Sequence, residues 1–298
     1  QHEQQQQQQQ HDISGGGSSL SSAQQALASA AAKRANDPAF KRMMAQRRSL
    51  PAWDLQQQVT SIRKLEQLPF RLRRQLLPDS ARVAVTAASV TAFFLASVTH
   101  AFVSRGLAWT LGFFAITLAF GWLIEVLGTT TQFPFGEYEY TSALGVSVLS
   151  VPILIPMAWS MVSYPMLLAV QRLSTTSLGV AIIGGWLLMS WDLFLDPQMV
   201  GEGYWTWTTV GWQLPGIPGI PLQNFLGWWL AGMLLMFLLD RLPRKTANDS
   251  VPNTLLLWTY ASNVLGAAVF FDRPAVAIWG GVAMGIVIIP WAWRLWGQ

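Results

Sequence analysis

From Val83 onward the chain alternates between long apolar stretches and short polar breaks. Each stretch is long enough to cross a hydrocarbon core of about 30 Å as a helix. Helices are predicted over 83–103, 107–127, 144–170, 178–195, 222–240, 254–271 and 275–296. Before Val83 the pattern is different. Residues 4–10 are an unbroken glutamine run, and the Gly/Ser-rich and Ala-rich stretches after it lack the apolar surface that offsets the entropy of ordering. The pattern therefore predicts an all-α fold: a polytopic transmembrane helix bundle of roughly seven spans over 83–298, behind a low-complexity, basic, disordered or targeting extension over 1–82.

Charge sharpens this division. The extension holds twelve of the nineteen Lys and Arg, and the apolar part only seven, so the net charge of +4 describes neither half. A basic tail can touch nucleic acid or anionic lipid, but no nucleic-acid fold signature accompanies it, and the expectation is a solvated tail without a nucleic-acid partner. Its Ser, Ala and Arg content would suit an organelle-targeting segment, which would place the chain in a plastid membrane. The stretch 47–55, RRSLPAWDL, is similar to the lead-in of the helicase core of some DEAH-type RNA helicases, but no GxxxxGK[ST] loop follows it. Chance similarity or a fused gene model is the expected explanation.

Fifteen of the sixteen Trp lie in the apolar part, many near span ends, as interfacial belts require. Helix parity puts both long connections, 128–143 and 196–221, on one membrane face. That face collects Glu125, Glu137, Glu139, Asp192, Asp196, Glu202 and Asp272, with Arg273 its only basic loop residue; the other face carries Arg105, Arg172, Arg241, Arg244 and Lys245. The short loops place the second face in the cytoplasm, whereas the basic flank 71–82 argues for the first. Cysteine is absent, which removes disulfides, thiolate metal sites and cysteine nucleophiles. Only His100 of three histidines lies in the apolar part, too few for the histidine-held irons of membrane desaturases.

Ionisable groups in spans are expensive to place there, so each is a candidate for function. Glu125 follows FFAITLAFGWLI and falls in the last turn of the second span; the alternative is an interfacial carboxylate that meets water. Asp192 and Asp196 are four apart, which stacks them on one helical face. Double ionisation there is disfavoured, and a carboxylic acid beside a carboxylate can donate one proton and accept another. Pro197 is expected to end that helix, leaving Asp196 as an alternative cap of the next turn. In QFPFGEYEY, an extended backbone puts Tyr138 and Tyr140 on one side and Glu137 and Glu139 on the other. The tyrosines would line a channel or act as interfacial anchors. The Trp-, Gly- and Pro-rich loop from Gly201 to Trp229 should lie against the protein or re-enter the bilayer, where it could roof a cavity. His100 is expected to be interfacial rather than a base.

Several of these segments together resemble the membrane carotenoid hydratase family, of the kind that hydrates bisanhydrobacterioruberin or γ-carotene. The resemblance is carried by Glu125 with Gly128, FPFGEYEYTSALG, VPILIPMAW, WDLFLDP with the trailing GYWTW, and GIPLQNFLGWW, across about 115–232. It implies a cofactor-independent reaction with no metal: a protonated carboxyl group attacks a terminal isoprenoid double bond, a tertiary carbocation forms, and water captures it as a tertiary alcohol. It also implies Glu125, Asp192 and Asp196 as catalytic residues and Tyr138, Tyr140, Trp191, Trp205 and Asn224 as substrate-binding. Glu137 and Glu139 rank lower. The implied partners are a carotenoid substrate, membrane lipid and other carotenoid-pathway enzymes. The long glutamine-rich extension departs from the compact family pattern.

Three other functions compete. A carotenoid cyclase would begin with the same protonation. DLFLD has the DxxxD spacing of magnesium-dependent membrane prenyltransferases, but the acidic face carries few basic residues to hold a diphosphate. A pigment or lipid carrier would need the cavity and not the carboxyl groups.

Overall fold

A computed structural model describes residues 79–296 and the isolated position Pro38. The expectations placed on residues 1–78, including the glutamine run, the stretch 47–55 and the targeting segment, lie outside the described residues. Over 79–296 the chain is a helical bundle, as the pattern predicts. Its helices are α1 (Asp79–Arg105), α2 (Leu107–Thr131), α3 (Leu154–Leu173), α4 (Ser177–Gly201), α5 (Leu222–Leu239), α6 (Ser250–Leu265) and α7 (Pro274–Trp296). All but α6 are long and apolar enough to cross a membrane. Helix α6 has 16 residues and continues as the π-helical turn Gly266–Phe270, so its α-helical part reaches only about 24 Å.

Local chemistry sets most of the boundaries. Gly106, with φ of 83°, is the single residue between α1 and α2, a conformation that glycine adopts without a Cβ penalty. Thr176 caps α4 by accepting the Gly179 amide at 3.1 Å. Helix α2 ends at Gln132 in the left-handed region, whose amide bonds the Gly128 carbonyl at 2.8 Å.

Three predicted boundaries are corrected. Helix α1 starts at Asp79 and not Val83. The third predicted span fails over its first ten residues: Ser142–Leu144 is a 3₁₀ turn, and strands β2 (Ser147–Val148) and β3 (Val151–Pro152) form a hairpin turning at Leu149 and Ser150, both with positive φ. Hydrophobicity alone does not separate a short apolar strand from a helix. Pro197 does not end α4, which runs on to Gly201. Pro197 leaves the Leu193 carbonyl without its usual amide donor, yet the helix continues for another turn, and the Pro197 carbonyl accepts a hydrogen bond from Arg273.

Helices α3 and α4 are the most deeply buried spans, with the others around them. Helices α4 and α5 approach through glycine. A Cβ on Gly185 would stand 2.7 Å from the Met233 amide nitrogen, and one on Gly232 would stand 3.0 Å from the Gly185 Cα. Outward faces carry large apolar side chains such as Leu111, Leu230, Leu234 and Ile286, a surface suited to hydrocarbon rather than water. The basic end is tied at the buried Asp249, whose opposite oxygens pair with the buried Arg105 at 2.6 Å and the exposed Arg172 at 2.9 Å. His100 belongs to this end, bonded to the Tyr164 hydroxyl at 2.8 Å and the Asn248 carbonyl at 2.9 Å.

Candidate functional site

The two long connections meet across the acidic end of the bundle. Strand β1 (Tyr138–Tyr140) comes from the first and β4 (Trp205–Trp207) from the second, and they pair antiparallel with Tyr138 opposite Trp207 and Tyr140 opposite Trp205. Because strand side chains alternate, this ladder turns four aromatic residues to one face and Glu139 and Thr206 to the other. Below the aromatic face lies a cavity of about 30 Å³ that is lined by Glu125, Asp196 and Asn224 among Trp and Tyr rings.

Glu125 is inside α2, with more than a turn of helix beyond it, rather than in the last turn. It is only 3% exposed, and both its oxygens are engaged. Oε2 accepts the hydroxyls of Tyr138 at 2.5 Å and Tyr140 at 2.7 Å, and Oε1 accepts the Trp159 indole N–H at 3.0 Å. Gly128 makes this possible, since a Cβ there would stand 2.7 Å from the Tyr138 hydroxyl oxygen and 2.9 Å from the Phe135 ring. Burial and the neighbouring Glu125 charge push both tyrosines well above the usual phenol range, so they stay protonated donors.

Asp192 and Asp196 stack one turn apart on α4, at 0% and 2% exposure. The Asn224 side-chain amide, from the first turn of α5, donates to both: to Asp192 Oδ2 at 2.9 Å and to Asp196 Oδ2 over a short contact. Trp205 donates its indole N–H to Asp196 Oδ1 at 3.1 Å, while Asp192 Oδ1 lies buried without a hydrogen-bond partner. The ion pairs of the described residues that involve Arg side chains lie away from these three carboxyl groups, at Glu202, Asp240 and Asp249.

The structure thus brings together every residue nominated from the sequence: Glu125, Asp192, Asp196, Tyr138, Tyr140, Trp191, Trp205 and Asn224. Glu137 and Glu139 stand apart. Glu137 accepts the Thr209 hydroxyl at 2.8 Å, and hydrogen bonds from Thr209 and Thr208 hold it below the usual carboxylate range. Three tryptophans of the site, Trp159, Trp207 and Trp228, were not nominated. Trp159 and Trp228 stack with centroids 4.0 Å apart and planes within 1°, and Trp191 meets Trp228 edge-on at 6.0 Å. Trp207 donates to the Phe135 carbonyl at 3.0 Å and closes the roof. Two of them left a local signal: Trp207 follows Trp205 at strand spacing, and Trp228 follows Asn224 at helix spacing.

Two carboxyl centres thus face one narrow aromatic chamber. Glu125 sits among three donors, and the Asp192–Asp196 pair is bridged by one amide. Such a chamber can hand a proton to a bound alkene, face a carbocation with π-clouds, and hold one water. An amide N–H donor, rather than a further oxygen ligand, sits between the two aspartates.

Comparison with known proteins agrees in kind. A stretch of 133 residues is 32% identical to bisanhydrobacterioruberin hydratase of Haloarcula japonica, covering 42% of this chain and 43% of that relative, so the match spans less than half of the relative's length. No solved structure matches. The family model for carotenoid biosynthesis protein matches residues 83–291. With six helices long and apolar enough to cross a membrane, this chain is an integral membrane protein that belongs to the carotenoid biosynthesis protein family.

Proposed function

We propose that this protein adds water to a terminal isoprenoid double bond of a carotenoid, giving a tertiary alcohol without a cofactor. The observation that carries this reading is the pairing of two different carboxyl environments across one small aromatic cavity of about 30 Å³. The Asp192–Asp196 pair holds a proton between its members, and Asp196, which lines the cavity, delivers it to the terminal alkene carbon. The electron pair of the double bond forms the new C–H bond and leaves a tertiary cation. Trp159, Trp191 and Trp228 face that cation. Water attacks it, and Glu125 accepts the released proton, its negative charge stabilised beforehand by Tyr138, Tyr140 and Trp159. The proton then returns to the aspartate pair, so the cycle consumes only water and alkene. The hydratase similarity of the haloarchaeal relative supports the same chemistry.

The test expresses the full chain in a lycopene-accumulating host grown in water enriched in heavy oxygen, with mass analysis of the pigments. The expected product is heavier by one labelled water. An isomer of unchanged mass would instead mean cyclisation, and unchanged pigment that co-purifies with the protein would mean a carrier. Survival of turnover in a chelator separates hydration from a magnesium-dependent prenyl transfer. Roles are separated in deuterated water. Asp196→Asn should abolish both hydration and deuterium exchange into the substrate end, a loss of about 10²- to 10⁴-fold. Glu125→Gln should block alcohol formation while exchange persists. Full turnover in both variants would sink the site assignment.

A further inference from the structure

A cavity of about 30 Å³ cannot hold a whole carotenoid, so most of the polyene must lie outside it. Most of its walls are closed. The roof residues Tyr138, Trp205 and Trp207 are buried, as are Asn224 and Trp228 on the α5 side. A larger groove of about 650 Å³ runs outside α5, along Phe133, Leu226 and Leu230. It does not offer a passage. The 133–136 turn is pressed onto α5 so closely that a Cβ on Gly227 would stand 2.7 Å from the Pro134 carbonyl oxygen.

One edge differs. Ile155 and Ala158 in the first turns of α3, and Leu195 near the end of α4, line the cavity and yet are only partly buried, beneath a partly buried Tyr140. We propose that this seam between α3 and α4 is the mouth of the site: the substrate's polyene lies through it into the lipid while the reacting end occupies the chamber. The occupant is a hydrocarbon chain, the polyene of the proposed substrate, because the partly exposed Ile155, Ala158 and Leu195 at the seam are apolar. A chain that passes from them into lipid keeps its apolar area out of water, worth roughly 25 cal/mol per Å². This rests on the hydratase reading above.

The absence of cysteine from the chain allows a block that is applied after folding. Purified full-length Leu195→Cys and Ala158→Cys variants are treated with hexadecyl methanethiosulfonate, which forms a mixed disulfide with the thiol and releases the sulfinate. Leu234→Cys, on the outward face of α5 where Leu234 is 52% exposed, serves as the control. Hydration of lycopene is then compared within each variant before labelling, after labelling and after dithiothreitol. Labelling at 195 or 158 should lower turnover about tenfold or more, the effect of a modest added barrier, and dithiothreitol should restore it. The control should keep its rate. The proposal is overturned if labelled 195 and 158 variants keep their rates, if both thiols are closed to the reagent in detergent, or if the control loses as much. Should the unmodified protein not hydrate lycopene, the hydratase reading fails separately. Retention of co-purified carotenoid then becomes the measure, and retention unchanged by either label overturns the mouth.

Discussion

Each oxygen of Glu125 accepts at least one N–H or O–H donor, whereas Asp192 and Asp196 share a single amide and leave one oxygen without a partner. Hydrogen bonds to a charged group are worth about 1.5–3 kcal/mol, so in the proposed hydration the donors around Glu125 favour negative charge there. Tyr138→Phe removes one of two hydroxyls on Oε2. The expected result is a fall in kcat of roughly ten- to a hundredfold, with substrate capture largely kept. Because both tyrosines are pushed well above the usual phenol range, their neutral, donating form persists through ordinary alkaline pH. The alkaline limb of the pH profile should therefore stay in place in the variant. A limb that moves with the substitution would mean that Tyr138 itself titrates in the reaction.

The elements matter through the places where they nearly touch. Strands β1 and β4 are three residues each, too short to be stable alone. They hold because their aromatic face packs on α2 and the chamber. Gly128 is the contact that permits this. Gly128→Ala would drive a methyl group into the Tyr138 hydroxyl and the Phe135 ring. Overpacking of this kind costs about 1–3 kcal/mol. The expected outcome is a lower melting temperature in detergent and a loss of activity greater than that of Tyr138→Phe, since it displaces the ladder and not one hydroxyl. A melting temperature and activity both unchanged would show that the ladder shifts freely over α2. Helix α4 supplies the second such device: its continuation through Pro197 keeps Asp196 in helical register with Asp192.

Across residues 79–296, the candidate site and the cluster around Asp249 occupy opposite ends of the bundle. At the basic end Asp249 is 8% exposed and ties the end of α1 to that of α3 through Arg105 and Arg172, while Asp240 takes hydrogen bonds from Gln171, Ser177 and Arg244. Breaking a buried pair by removing one partner costs about 3–5 kcal/mol, because the remaining charge is stranded. Arg105→Ala should therefore lower thermal stability sharply, while the folded fraction keeps its turnover per molecule. A fall in turnover per folded molecule would instead reveal coupling between the two ends.

Much of this was legible in the chain itself. Hydrophobic length fixes the helical, membrane-spanning class, because a bilayer leaves a backbone few other ways to satisfy its hydrogen bonds. Parity then put Glu125, Asp192, Asp196 and both long connections at one end, and the spacings of two and four residues placed the tyrosines and aspartates on common faces. The extent of α4 beyond Pro197 and the hairpin inside the third apolar run depended on partners far along the chain, which periodicity does not contain. So did the roles of Trp159 and Asn224. One is a donor to Glu125 across 34 residues, and the other bridges two carboxyl groups from a helix that starts 26 residues after Asp196. Only the tertiary fold decides such pairings, because a buried carboxyl group is satisfied by whichever donor the packing delivers, and no local spacing says which one that is.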